Sequence, residues 1–578
     1  MSENARRNLT RAIVGVAIVA LIVFAYYRKT EIPRLVESVA NGTPAERLDA
    51  VRRLIAKEKL AEAMEEASRP AQYNCVAAVA QIADHEAMAQ MLETKWEFDA
   101  PIAEWCDTLL VTWGDSAVGP LVEAMQNKSS SIRGGALTPL SKIGEAAKPP
   151  LLELTGAWDQ YVRDAVRDTC AKADMAELIR DELIEIVKES EPRPGETDAK
   201  HIRRRDTAIR ALEAMKVPAL EALVKLLRYE DAELRGQAAL SLGKIADQTK
   251  DSPIALADSI SVIEPLIEAL GDSDWTVQRR AAAALGPVST VETEPEEPAE
   301  RDALAKPIDP LIALLNAPQP DVRGAAAESL GLIGTVRAVA PLGEALADDT
   351  RRAGAGPEIA LAIERIGGPP AVNALSAALH HGDADVRELA TATLANIGGS
   401  AATGPLAERL SMGTESEVRV RRVAAGALRN IAEGAYAESG AADVRAAMQR
   451  VLPALASALA DSDWHVYVAA RDALARVGRP AVSQLINAMS IGDDRVSYTA
   501  AEGLAKIGLN AVDQLVRAIT ESPESDVARW AAIALGDIGS PAVPALMGAL
   551  ANSSLSISAR AKAARALGLS HDLRATRA

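Results

Sequence analysis

Aromatic side chains are scarce in this chain of 578 residues: two Phe, eight Tyr and seven Trp make up 3%. That excludes a core built around aromatic rings, so Ala, Leu, Val and Ile must fill the interior. Only three Cys are present, Cys75, Cys106 and Cys170, an odd count that rules out a disulfide-stapled scaffold. The six His are scattered, and there is no G-x-x-x-x-G-K-[ST], no G-x-G-x-x-G after a strand, no H-E-x-x-H and no C-x-x-C. The commonest phosphate, dinucleotide, zinc and redox chemistries therefore lack their usual residues. Positive charge is not in excess either. With 63 Lys and Arg against 80 Asp and Glu, the net charge is −17 and the pI about 5.1. A chain of that sign is not a general nucleic-acid binder, since such binding neutralises phosphates with Lys and Arg.

What is abundant is one spacing: an aliphatic residue, Ala four later, Leu eight later, and Gly or another small residue twelve later. It reads Val322, Ala326, Leu330, Gly334; Val386, Ala390, Leu394, Gly398; Val496, Ala500, Leu504, Gly508; and Val527, Ala531, Leu535, Gly539. Offsets of four and eight put the first three residues on one helix face. The Gly predicts a left-handed helix C-cap. A helix face recurring about every thirty residues predicts an all-α solenoid of stacked helical hairpins. Such a stack also accommodates a length far beyond a single core, because each hairpin touches only its neighbours.

Each unit predicts two helices. The first carries an apolar stripe and often an early Pro (Pro218, Pro265, Pro310, Pro341, Pro453, Pro544), harmless in a first turn. A polar turn supplies Asp or Ser for capping, and Asp321, Asp385 and Asp526 stand directly before their second helices' first aliphatic residue. DVRGAAAESLGLIG at 321–334 and DVRELATATLANIG at 385–398 resemble HEAT repeats, in particular the short bacterial kind found in phycobilisome lyase subunits. The resemblance covers most of residues 32–570 and implies a superhelix of about sixteen hairpins. It also implies a ladder between neighbouring repeats, made here by Asp321 with Arg323 and Asp385 with Arg387. It implies no activity, because such arrays serve many functions.

The register places Cys75 and Cys106 in Ala slots of adjacent repeats and Cys170 in a Leu slot, so three buried free thiols are expected. Extra segments interrupt it at 189–201, 247–261, 290–306 and 433–449; the acidic, Pro-rich 290–306 reads as a mobile loop. Gly354, Gly356 and Pro357 predict a bend or a frayed second helix near 355.

At the N-terminus, after a short tail (1–11), the apolar run Ala12–Tyr27 is flanked by Arg6, Arg7 and Arg11 and by Arg28 and Lys29. It is read as one transmembrane signal anchor over 12–29, a little under the roughly 20 residues a span needs. A cleaved signal peptide is the competing reading. The basic flanks favour a single-pass protein with the solenoid on the extracytoplasmic, periplasmic side. Residues 571–578 form a C-terminal tail.

No catalytic, cofactor or metal residues are assigned. His380 and His381 sit in a polar turn. His85-Glu86 resembles the metal-binding pairs of deoxyhypusine hydroxylase, another HEAT-repeat protein, but that family needs several pairs and only one occurs. The residue two after each first aliphatic slot points away from the core. That rule gives Arg422, Val468, Tyr498 and Arg529, with Trp464 and Tyr467 beside the row. Exposed aromatic and Arg residues are the usual material of protein-binding hot spots. The expected function is a membrane-anchored, non-enzymatic scaffold binding other proteins, without cofactor and without nucleic acid. The alternative implied by the resemblance is a lyase-type or chaperone-like accessory subunit for a cofactor-bearing protein.

Overall fold

The computed structural model describes residues 34–55, 100–249, 255–290, 297–352 and 354–574, and among these residues the regular structure is helical throughout. Two compact units divide the chain, residues 1–265 and 266–578.

In the first unit, first helices such as Asp115–Met125 and Ala173–Lys188 alternate with second helices Ser130–Ile143, Gln160–Cys170, Asp198–Met215 and Ala232–Thr249. The second helices pack on one another in sequence order. Their faces carry the expected slots: Ala136 and Leu140, then Val162, Val166 and Cys170, are buried. Cys106 is buried as well, and Cys170 is a free thiol whose burial pushes its pKa up to about 12. Cys75 and His85-Glu86 lie outside the described residues.

In the second unit the second helices are Trp275–Ser289, Pro320–Ile333, Gly356–Ile366, Ala384–Ile397, Val418–Ala435, Trp464–Val477, Asp494–Ile507, Asp526–Ile538 and Ile557–Leu569. Val322, Ala326 and Leu330, and likewise Val496, Ala500 and Leu504, are fully buried. Small residues bring neighbouring second helices together. A Cβ on Gly331 would stand 2.8 Å from Ala362 Cα, and one on Gly286 would stand 3.0 Å from Ser329 Cα.

Helix ends differ from the sequence reading in two details. Gly334 takes the left-handed cap, at φ 73° and ψ 17°, whereas Gly508 stands at φ 71° and ψ −134°. The second conformation belongs almost to Gly alone. It lets Gly508 close Asp494–Ile507, donating to the Leu504 carbonyl at 3.1 Å, and open Leu509–Glu521 directly. The N-caps also fall earlier than expected. Asp383, not Asp385, accepts from the Asp385 N–H, and Ser525, not Asp526, accepts from the Ala528 N–H. Asp321, Asp385 and Asp526 instead sit in the first turn, where negative charge suits the helix dipole.

Three expectations are corrected. The second helix near 355 holds as one unbroken helix, Gly356–Ile366, although at 11 residues it is shorter than the neighbouring Pro320–Ile333 at 14. Pro357 lies in the first turn of Gly356–Ile366, and Ile359 and Ile363 are fully buried. The segment 290–306 is not simply a mobile loop, because its second half forms the helix Pro298–Ala305; residues 291–296 lie outside the described residues. The third correction concerns the membrane. The run 12–29 lies outside the described residues, and among the described residues no helix is long and apolar enough to cross a membrane. The longest, such as Asp198–Met215 and Val418–Ala435, carry several charged side chains each. Among the described residues the fold is therefore a solenoid of helical hairpins with no helix able to span a membrane, and the single-pass, extracytoplasmic localisation is not supported.

Candidate functional site

The candidate residues lie on four consecutive second helices of the second unit, Val418–Ala435, Trp464–Val477, Asp494–Ile507 and Asp526–Ile538, each packed on the next. Val420, Val466 and Val496 are fully buried, as their slots predict, whereas in the last helix Val527 is only half-buried and Ala528 takes the fully buried position, so Arg529 follows the buried residue by one and not by two.

Arg422 is tied down. Its guanidinium grips Asp463 of the next repeat, Nε to Oδ1 at 3.0 Å and Nη2 to Oδ2 at 2.5 Å. Asp463 also caps its own helix, accepting from the His465 and Val466 N–H groups. The Arg422 bond, with those N–H groups, holds the Asp463 carboxyl at about 2 against burial. Beside it Trp464 is 56% exposed, its ring 3.8 Å from that of His465. Tyr467 is half-buried under the Arg495 guanidinium, 4.7 Å from the ring centroid. Val468 is half-buried and Tyr498 is 49% exposed.

The last two helices make a second cluster. Tyr498 meets Trp530 edge-on, with centroids 6.2 Å apart and planes at 70°. Arg529 lies over Trp530 at 4.7 Å and pairs with Asp494 of the preceding repeat at 2.5 Å. The negative charge and hydrogen bond of Glu502 push the Tyr498 hydroxyl above its ordinary pKa. Glu502 is itself held by Arg471 of the preceding repeat at 2.8 Å. The structure thus gathers Arg422 with Trp464, and Tyr498 with Arg529, in two aromatic clusters braced by ion pairs. Sequence reasoning missed Arg495, Trp530 and Asp463. Asp463 carried a signal, as the Asp preceding a helix start.

The expected ladder is built from other partners. In six repeats the turn Arg donates Nη1 to carbonyls six and five residues back: Arg133, Arg163, Arg235, Arg323, Arg387 and Arg421. Its first task is to satisfy the turn preceding its own helix. The inter-repeat rung then runs to an acid in the next turn. Arg387 binds Glu415 at 2.7 and 2.9 Å, and Arg421 binds Asp461 at 2.7 and 3.3 Å. Burial raises Glu415, but the Arg387 pair outweighs it and leaves the carboxyl below its usual range. Asp385 links to the next repeat through Arg419 at 2.5 Å, and Asp321 lies exposed in its first turn. Where Tyr467 replaces the turn Arg, Arg495 from the next repeat reaches back to the Leu459 and Ala460 carbonyls, each at 3.2 Å.

No group of three His, Cys, Asp or Glu able to hold a metal occurs among the described residues. His380 lies 3.9 Å from Glu408, and His381 Nδ1 accepts from the Asp383 N–H.

The HEAT repeats family model matches residues 263–356 and 452–533, and the PBS lyase HEAT-like repeat matches residues 527–552. No curated protein matches the chain. Among solved structures, an engineered protein is similar at 18% identity over 94% of this chain and 99% of its own, with a TM-score of 0.25. Importin beta is similar at 14% identity over 99% and 87%, with a TM-score of 0.32. The Kap95:Nup1 complex is similar at 10% identity over 95% and 89%, with a TM-score of 0.36.

Proposed function

The chain is a HEAT-repeat protein, and from that premise we propose that it is a non-enzymatic scaffold that binds other proteins along the second-helix row from Arg422 to Arg529. One observation carries the reading: Trp464 and Tyr498 are large, half-exposed aromatic residues on adjacent helices, held in place by neighbouring ion pairs. A rigid aromatic anchor loses little entropy on binding, and Trp, Tyr and Arg dominate interface hot spots. The described carboxylates with lowered pKa point the same way. Asp463, Glu415 and Asp472 each bind an Arg of the stack, a structural use rather than a catalytic one. The alternative of a lyase-type accessory subunit rests on the repeat resemblance alone.

The ion pairs decide which substitutions test the row. Charge reversal at Arg422 or Arg529 would break links between repeats as well as any partner contact, whereas Trp464→Ala and Tyr498→Ala remove exposed surface. Co-purification after crosslinking should recover a stoichiometric protein partner with the wild-type chain. The double aromatic variant should lose it while keeping its thermal midpoint within a few degrees. Equal recovery by the variant would place the binding surface elsewhere.

A further inference from the structure

A second site lies on the first-helix side of the same unit. In five first helices of this unit, the position three after the buried Leu is a buried Ala: Ala345, Ala378, Ala458, Ala488 and Ala549. After Leu406 that position is Arg409, which is 4% exposed. A cation has been placed where its neighbours carry a methyl group. Its Nη1 donates to the Leu379 carbonyl at 3.1 Å, and its buried Nε has no partner. Arg409 forms no ion pair with any described carboxylate. Glu415 is near enough to feel its charge, but spends its oxygens on Arg387 and on the Glu417 N–H. Glu408 is exposed and turned towards His380. A buried, unmatched guanidinium is costly and favours an incoming anion.

Arg409 lines a cavity of about 730 Å³ between the turn after Gly368–Ala378 and the turn after Gly399–Glu408. His380 and His381 line that cavity and also a neighbouring groove of about 760 Å³ between Val339–Arg352 and Gly368–Ala378. Gly343 and Ala374 line the groove where its two helices touch, since a Cβ on Gly343 would stand 3.2 Å from the Ala374 Cβ, so little side chain fills the groove there. Exposed Glu344 and Asn373 line it as well. An apolar groove that shares His380 and His381 with a cavity lined by a buried cation suits an apolar stretch ending in a carboxylate. Asn373 and Glu344 offer hydrogen bonds that a peptide backbone can use and a hydrocarbon tail cannot.

We propose that this paired groove and cavity bind a segment of a partner protein in which apolar side chains precede an Asp or Glu. The apolar residues lie against the small surface that Gly343 and Ala374 give the groove, and the carboxylate meets Arg409. This site is separate from the second-helix row and stands or falls without it.

The test is an array of soluble peptides in which every apolar tripeptide precedes Glu, with the same array carrying Gln, probed with the full chain. A subset of the Glu peptides should bind at least tenfold more tightly than their Gln counterparts. Arg409→Ala, which installs the residue of the sibling repeats, and Arg409→Met, which keeps the stem, should both abolish that binding. Ala374→Leu, which fills the groove, should weaken it at least tenfold. The thermal midpoint of Arg409→Ala should equal or exceed that of the wild type. Absence of any Glu-selective peptide would overturn the proposal, as would equal binding of the Glu and Gln sets. So would thermal protection by inorganic phosphate alone. A large fall in the Arg409→Ala midpoint with peptide binding unchanged would make Arg409 a structural partner of Glu415 and overturn it too.

Discussion

At the scale of single residues, arginine does most of what is specific in this molecule. The turn Arg satisfies two carbonyls that would otherwise face the gap between repeats, then extends its other nitrogens to the next repeat. Arg421 shows the result: with Asp461 it forms a rung whose side chains are 5% and 1% exposed. Removing one partner of a buried pair leaves an uncompensated charge, at a cost of about 3 kcal/mol or more. Asp461→Asn should therefore lower the unfolding free energy of the second unit by about that amount in denaturant titration. A change below about 0.5 kcal/mol would mean the rung is screened like a surface pair. The recurrence of this Arg was legible in the sequence. Its partners were not, because the rungs span 28 residues from Arg387 to Glu415 and 40 from Arg421 to Asp461. The segment 433–449 inserts between the second pair, so a constant contact in space has no constant spacing in sequence.

At the scale of the helix, the twelve-residue spacing marks the buried face, because burial sets period and face, except at Val527, which is half-buried beside the fully buried Ala528. Helix ends were read less well. Near 355, the run Gly354, Gly356 and Pro357 looks like a break. The outcome turned on where the helix starts, because Pro in a first turn sacrifices no hydrogen bond. Helix contacts also separate glycines that look alike. Gly331 faces the backbone of Ala362, so Gly331→Ala must push two second helices apart and should destabilise by about 1 to 3 kcal/mol. Gly426, inside Val418–Ala435, meets nothing within 4 Å of a built Cβ. Gly426→Ala should stabilise by about 0.5 to 1 kcal/mol through its helix preference. Thermal unfolding of the two variants should move in opposite directions; a shared direction would refute the packing assignment.

At the scale of the whole molecule, both units use carboxylates held in the charged form by arginine. Glu196 in the first unit is held at about 2 by Arg204, and Asp463 in the second at about 2 by Arg422. A carboxyl depressed in the folded state stabilises fully above its unfolded value, near 4 to 4.5, and that contribution fades as the pH falls towards 2. Stability should therefore be flat from about pH 7 to 5 and fall steeply between about 4.5 and 2. Asp463→Asn should shallow the acid limb for the second unit, and an unchanged limb would show that this pair carries no linkage. The residues that repeat account for the stack, which is why the architecture could be read from spacing alone. The binding surfaces depend on residues that do not repeat. Trp464 and Tyr498 were visible as outward positions, whereas Arg409 showed itself only once burial revealed a cation in an alanine slot.

The central claim, that the second-helix row is the face that meets a partner, is most directly tested by a photo-crosslinking amino acid placed singly at 464, at 498 and at the exposed first-helix position 513. The account predicts crosslinks to one and the same protein from 464 and 498 and none from 513. Crosslinks from 513 alone, or different proteins from 464 and 498, would contradict it.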